Sequence, residues 1–266
     1  SWWYRKEFDL PLLTSNQHAL LYFDGLSYSA NVWLNGTKIA SREEFYGPFR
    51  QFSFDITPHL AENNTLAVEV FRAQPGDFNI GFIDWNPRPA DESMGIFREI
   101  YIDITDKVEM KHPYVHSKIN LGTMDEAWLT VETTLKNHSG KKVKGNLMGQ
   151  YEDREFTFPV TLEAGEEKTV TLTSHELEEL YIRNPRIWWC NNLGNPEMYE
   201  LRLQFETGGK MSDSDTISFG IREIKDYFIN EKDRGFILNG KKVLIRSAGW
   251  TDDIFLRDTP QTNEIQ

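Results

Sequence analysis

The sequence predicts an all-β protein, two sandwiches in series, and three observations carry that prediction. Short runs of alternating apolar and polar residues recur along most of the 266 residues, which is the period of a half-buried strand. Turn formers separate the runs, among them Asn35-Gly36 and Asn239-Gly240, the strongest short hairpin signal. Aromatic residues make up 13% of the chain, and aromatic side chains favour strands.

The first third reads strand by strand. Trp3 to Leu10 alternates aromatic and charged residues, and His18 to Phe23 is a buried-type strand. Ala30 to Leu34 runs into the Asn35-Gly36 turn and returns as Thr37 to Ala40. Phe49 to Ile56 alternates again, Asn63-Asn64 marks a turn, and Thr65 to Phe71 is a central strand. Ile96 to Ile104 closes the set. Short strands with turn residues between them predict a sandwich or jelly roll over residues 1–107.

A second set follows. Val108 to Ile119 and Trp128 to Leu135 alternate, and Asn137 to Gly140 turns into Lys144 to Tyr151. Phe156 to Leu162 and Lys168 to Leu172 flank a turn at Gly165, and Leu177 to Ile182 suits a helical turn. Met198 to Phe205 and Asp215 to Phe219 finish the set. About seven strands in about 110 residues predict an immunoglobulin-like sandwich over 108–221.

Residues 222–266 differ. Phe236-Ile237-Leu238 and Val243-Leu244-Ile245 flank Asn239-Gly240 as a strongly apolar hairpin. No strand–helix alternation follows, so this stretch reads as the opening of a third domain, cut short. Six large apolar residues without a cover would make the hairpin a site of self-association.

Composition removes several function classes. The net charge is −12, against nucleic acid, which needs a basic footprint. No apolar run is long enough to span a membrane, and Ser1 to Arg5 already reads as a strand rather than a signal peptide, so an upstream segment is expected to have been removed. The single cysteine, Cys190, excludes an internal disulfide and a cysteine-based metal site. His112 and His116 sit on a β pattern that places them on one face, but two ligands without a third do not make a zinc site. Neither a metal nor another cofactor is expected. Asn35, Asn63 and Asn137 open formal glycosylation sequons, which carry meaning only in a secreted eukaryotic protein.

One segment breaks the strand rhythm. Gln74 to Gly95 holds three prolines and four acidic residues without a strand pattern. A loop that long inside a compact domain is usually functional or disordered, and Phe78, Phe82, Ile83 and Trp85 argue against disorder. Asp84-Trp85-Asn86-Pro87 sets a carboxylate, an indole and an amide side by side. Sugar binding needs this mixture: polar groups for hydroxyls and a flat apolar face for the ring. Pro87 and Pro89 would stiffen the loop and lower the ordering cost of binding. The same residues also suit a purely local role, with Trp85 packing the loop down and Asp84 capping a turn.

Four segments carry a family resemblance: Leu21 to Ile39, Met94 to Ile100, Ile187-Trp188-Trp189 with the residues through Leu201, and Phe219 to Ile224 followed by Phe236 to Arg246. In this order they resemble the N-terminal half of family 2 glycoside hydrolases, the group of β-galactosidases, β-glucuronidases, β-mannosidases and exo-β-glucosaminidases. The run Asp84 to Pro89 with Met94-Gly95, and the run Ala248 to Arg257, are most similar to exo-β-glucosaminidases and, more distantly, β-mannosidases.

The resemblance implies a galactose-binding-like jelly roll, an immunoglobulin-like domain and the first elements of a TIM barrel. It implies a β-linked glycoside, in particular a glucosaminide, as ligand and the catalytic barrel as partner in cis. It favours a secreted or periplasmic setting. Asp84, Trp85 and Asn86 would contact the sugar, and Arg246 and Asp253 would lie at the first barrel strand and its following loop. Family 2 enzymes are retaining hydrolases with two carboxylates. In the family both lie on barrel strands beyond the segments matched here, so these residues alone are expected to be inactive. Two other readings share the same sandwich: a stand-alone carbohydrate-binding module or surface adhesion protein, and a structural scaffold with an inert loop.

Overall fold

A computed structural model describes residues 1–78 and 89–247. The chain divides into two compact units, Ser1–Ile104 and Thr105–Ser247. Among the described residues no helix is long and apolar enough to cross a membrane.

The first unit is a sandwich of nine strands: β1 (Trp2–Asp9), β2 (His18–Phe23), β3 (Leu26–Ser27), β4 (Ser29–Leu34), β5 (Thr37–Ala40), β6 (Phe52–Asp55), β7 (Asn63–Phe71), β8 (Gly95–Ile96) and β9 (Ile100–Thr105). The sheets run β1-β7-β4-β5 and β6-β2-β9, with β3 paired to β8. Alternation on β7 sends Leu66, Val68 and Val70 inward, where they join Leu21, Phe23, Val32 and Leu34 in the core. Phe45 is buried between Phe23 and Phe54, with ring centroids 4.9 and 5.4 Å away. Burying one such ring contributes about 2–3 kcal/mol.

The β4–β5 turn has the predicted form. Asn35 (φ 51°) and Gly36 (φ 81°) are both left-handed, as a two-residue turn matching the strand twist requires. Asn63-Asn64, expected as a turn, instead opens β7. The Asn64 side chain is buried and caps the preceding bend, accepting from the Ala61 N–H at 2.9 Å and donating to its carbonyl at 2.7 Å.

The second unit is an immunoglobulin-like sandwich with a small appended sheet. Its strands are β10 (Val108–Ile119), β11 (Glu126–Asn137), β12 (Val143–Tyr151), β13 (Arg154–Leu162), β14 (Glu167–Thr173), β15 (Tyr181–Arg183), β16 (Tyr199–Thr207) and β17 (Lys210–Phe219). One sheet runs β10-β11-β14, with β15 also on β11, and the other β13-β12-β16-β17. Every second residue of β11 from Ala127 to Asn137 is buried, facing Leu147, Leu162, Leu203 and Phe205 from the opposite sheet. The outer strands β10 and β17 are stapled by Ser212, whose hydroxyl accepts from the Val108 N–H at 2.8 Å and donates to the Val108 carbonyl at 2.9 Å.

Three details refine the sequence expectations. A bulge interrupts β10 between Lys111 and Tyr114, with His112 at φ 50°, so the strict alternation behind the His112–His116 pairing does not hold. The helical turn at Leu177 to Ile182 is a 3-10 turn, Glu178–Leu180, running into β15. Asn137, one of the sequon asparagines, is fully buried and donates to the carbonyls of Lys141 and Glu163, so the folded protein cannot carry a glycan there.

Residues after Arg222 form a three-stranded sheet, β18 (Ile224–Phe228), β19 (Arg234–Leu238) and β20 (Lys241–Val243). Its turn residue Asn239 is completely buried. Asn239 exchanges backbone and side-chain bonds with Glu223, at 2.8 Å each, and donates its amide to the Trp188 carbonyl at 2.9 Å. Leu238 is buried, Phe236, Ile237 and Val243 are half-buried, and Leu244 and Ile245 are exposed.

Tyr151 supplies a pH test of this core. It is buried, donates to the Glu179 carbonyl, and burial pushes its pKa up to about 12. The folded state therefore favours the neutral phenol. That contribution is fully present below about pH 10 and is lost as pH rises through about 12. Alkaline titration should show unfolding in this window, and Tyr151→Phe should move the midpoint to higher pH. An unchanged midpoint would assign alkaline unfolding to other groups.

Candidate functional site

The long loop leaves β7 and returns at β8, and both feet grip the same short stretch. The Tyr28 N–H donates to the Phe71 carbonyl at 3.0 Å, and Ser27 pairs with Gly95. Residues 27–28 thus lie between the outgoing and returning chain. Arg72 and Glu92 tie the feet with an ion pair of 3.1 Å. At the outgoing foot, Asp77 accepts from the Gln74 N–H at 2.8 Å. At the returning foot, Asp91 accepts from the Ser93 N–H at 3.0 Å. Gly95 sits at φ 144°, and a Cβ there would meet the Tyr4 hydroxyl at 2.9 Å, so the return needs glycine.

Aromatic side chains from three segments gather around these feet. The bend at Ser41 to Phe45 is closed by the Phe45 N–H to the Ser41 carbonyl at 2.8 Å. Buried Phe45 anchors the bend, and the bridge between Ser29 and Tyr46 sets Tyr46 beside Tyr28, centroids 6.3 Å apart. The Arg50 guanidinium covers the rings of Tyr46 at 5.3 Å and Phe52 at 4.5 Å. Phe49 and Phe78 meet edge to face at 6.3 Å, yet remain 65% and 81% exposed. Partial burial, then the negative charge of Asp77, raises the Tyr28 pKa, so its hydroxyl stays protonated and can donate. Exposed ring faces, a carboxylate and hydroxyls around a loop mouth are what saccharide recognition uses.

Of the residues singled out by sequence, Asp84, Trp85, Asn86 and Asp253 lie outside the described residues. Arg246 is exposed, in the segment after β20. Tyr28, Tyr46, Phe49, Asp77 and Phe78 were not singled out by sequence as site residues. They come from three separate segments, which the β3–β8 pairing, the Ser29–Tyr46 bridge and the bond from the Gly47 N–H to the Tyr28 carbonyl help to bring together.

Comparison with known proteins gives a consistent set of matches. Residues 1–77 match the family described as "Glycosyl hydrolase 2 galactose-binding domain-like", and residues 108–222 match "Glycosyl hydrolases family 2". An exo-β-D-glucosaminidase of Amycolatopsis orientalis is 33% identical over 96% of the chain, and one of Streptomyces avermitilis is 32% identical over 96%. The chain spans 24% and 28% of those two proteins. The crystal structure of the Amycolatopsis orientalis exo-chitosanase superposes with a TM-score of 0.87 at 31% identity, covering 98% of this chain and 30% of that one.

Proposed function

The chain belongs to glycoside hydrolase family 2, and from that premise we propose that its first unit supplies sugar contacts to a β-glycosidase acting on glucosaminides, while the catalytic carboxylates lie outside these residues. The observation that carries the reading is the similarity to exo-β-D-glucosaminidases along almost the whole chain. In this reading Asp84 pairs with the amine of the non-reducing-end sugar. Such a carboxylate–ammonium bond is charge-assisted and stronger than a neutral one. Trp85 offers a stacking face and Asn86 bonds hydroxyls, while Arg246 and Asp253 are proposed as further sugar contacts on the strength of the resemblance alone. The aromatic rim at Tyr46, Phe49 and Phe78 flanks the feet of that loop and supports the assignment.

The test uses the 266-residue polypeptide itself. Titration with glucosamine, mannose and galactose, read by amide and indole chemical shifts, should show weak binding of glucosamine, about millimolar or weaker, corresponding to about 4 kcal/mol. Asp84→Ala should abolish it. Chromogenic glucosaminides, mannosides and galactosides should give no release above buffer. Tight binding untouched by Asp84→Ala would place the site elsewhere, and turnover that survives repurification would overturn the reading.

A further inference from the structure

The second unit carries an open cleft of about 1070 Å³ on the outer face of the β10–β11 sheet, at the upper end of the range for small-molecule sites. Its floor follows from strand register. Leu129 points into the core and is buried, so its neighbour Trp128 points outward. Lys118, Trp128 and Tyr181 lie side by side across β10, β11 and β15. The Trp128 and Tyr181 rings are 5.9 Å apart and inclined by 36°, a shallow aromatic cradle rather than a stack closed on itself.

The polar groups around this cradle are held in place. Tyr181 donates its hydroxyl to Glu126 at 2.5 Å, and Asn120 donates to the other Glu126 oxygen at 2.8 Å. These two bonds, Tyr181 first, hold the Glu126 carboxyl below its usual range, so a fixed charged acceptor lies beside the rings. The residues after β14, including Ser174 and Glu178, contribute to the lining, as do Glu223 and Lys225. The lining therefore offers donors and acceptors of both signs around an apolar floor.

That combination selects an occupant. A nucleic acid is disfavoured by the net charge of −12. A lipid or apolar peptide would leave the charged groups desolvated without partners, which is unfavourable. A sugar ring has an apolar face for the indole and hydroxyls that both donate and accept. We propose that this cleft is a second saccharide site, taking a short β-linked oligosaccharide, built on Trp128 and Tyr181 with Glu126 as the fixed acceptor. It rests on the carbohydrate reading of the chain for the choice of ligand class, but it shares no residue with the loop-side site.

Amide and indole chemical shifts of the whole chain, titrated with cellohexaose and with the glucosamine hexasaccharide of chitosan, test the proposal. The expected result is saturable shifts at the Trp128 indole and around Tyr181 and Glu126. Trp128→Ala should weaken binding about tenfold. Because Trp128 is on an outer face, core amide shifts should stay in place and show that the variant folds. Glu126→Gln, which keeps the side-chain volume, should weaken binding in the same direction. Shifts confined to Tyr46, Phe49 and Phe78 would overturn the second site and leave the loop-side reading intact. Shifts at Trp128 without any at that rim would do the reverse. No shift at Trp128 up to about 10 mM hexasaccharide, or affinity unaltered by Trp128→Ala, also overturns the second site.

Discussion

Replacing Asn239 by alanine is expected to release the β18–β20 sheet from the second unit at a cost of about 3–5 kcal/mol. The side chain is completely buried and satisfies both the Glu223 N–H and the Trp188 carbonyl. Leaving such groups unpaired costs about 1–3 kcal/mol each. Alanine would also have to hold φ near 47°, a left-handed conformation that asparagine tolerates better. Hydrogen exchange should show faster opening at Glu223 and Leu238, with β11 and β12 little changed. Asn239→Gly separates the two causes, since it relieves the backbone and still loses the side chain. Protection at Glu223 that survives both substitutions would mean that apolar contacts of Leu238 hold the sheet instead.

Glu109→Ala is expected to destabilise the second unit by about 3 kcal/mol. Glu109 has no exposed surface, and its carboxylate lies 2.7 Å from His138 Nε2 and 3.3 Å from Lys111 Nζ. Removing the acid takes one acceptor from each of these two partly buried side chains. Lys111 can still turn toward Glu167, 3.7 Å away, which limits the loss. Breaking one side of a buried pair is worse than removing both, so Glu109→Leu combined with His138→Leu should recover part of the stability. Denaturant unfolding reads both variants. A double variant less stable than Glu109→Ala would show that the cluster acts through packing rather than charge.

Much of the fold was legible because its strands are half-buried. β7 and β11 alternate cleanly since one face meets the core and the other meets water, and Asn35-Gly36 announces its turn through backbone sterics alone. β18 was not legible. Four of its five residues are exposed, so no face imposes a period, and only pairing with β19 makes it a strand. Asn64 misled because asparagine's local habit is a turn, and here it serves the turn by side chain while its own backbone is extended. The loop-side site was half legible. Composition marked Gln74 to Gly95 as unusual, but Tyr28, Tyr46 and Phe49 carry no local signal of their shared position. The Trp128 cleft was hidden for a similar reason, since strand alternation tells which face a residue takes and not whether neighbours make that face concave.

The Ser212 staple bears on how the second unit folds. It joins residues 104 positions apart in sequence, while most neighbouring strands of the unit, such as β12 with β13, pair through short turns. Those local hairpins can form early, because closing a short loop costs little chain entropy. Meeting of β10 and β17 must wait until nearly all of the unit is available, and contacts this distant in sequence slow folding. During synthesis β17 is the last strand of the sandwich itself to emerge, ahead only of β18–β20. Until Ser212 meets Val108 the facing edges of β10 and β17 stay unpaired, and unpaired strand edges are where a partly made β protein is exposed to misassociation.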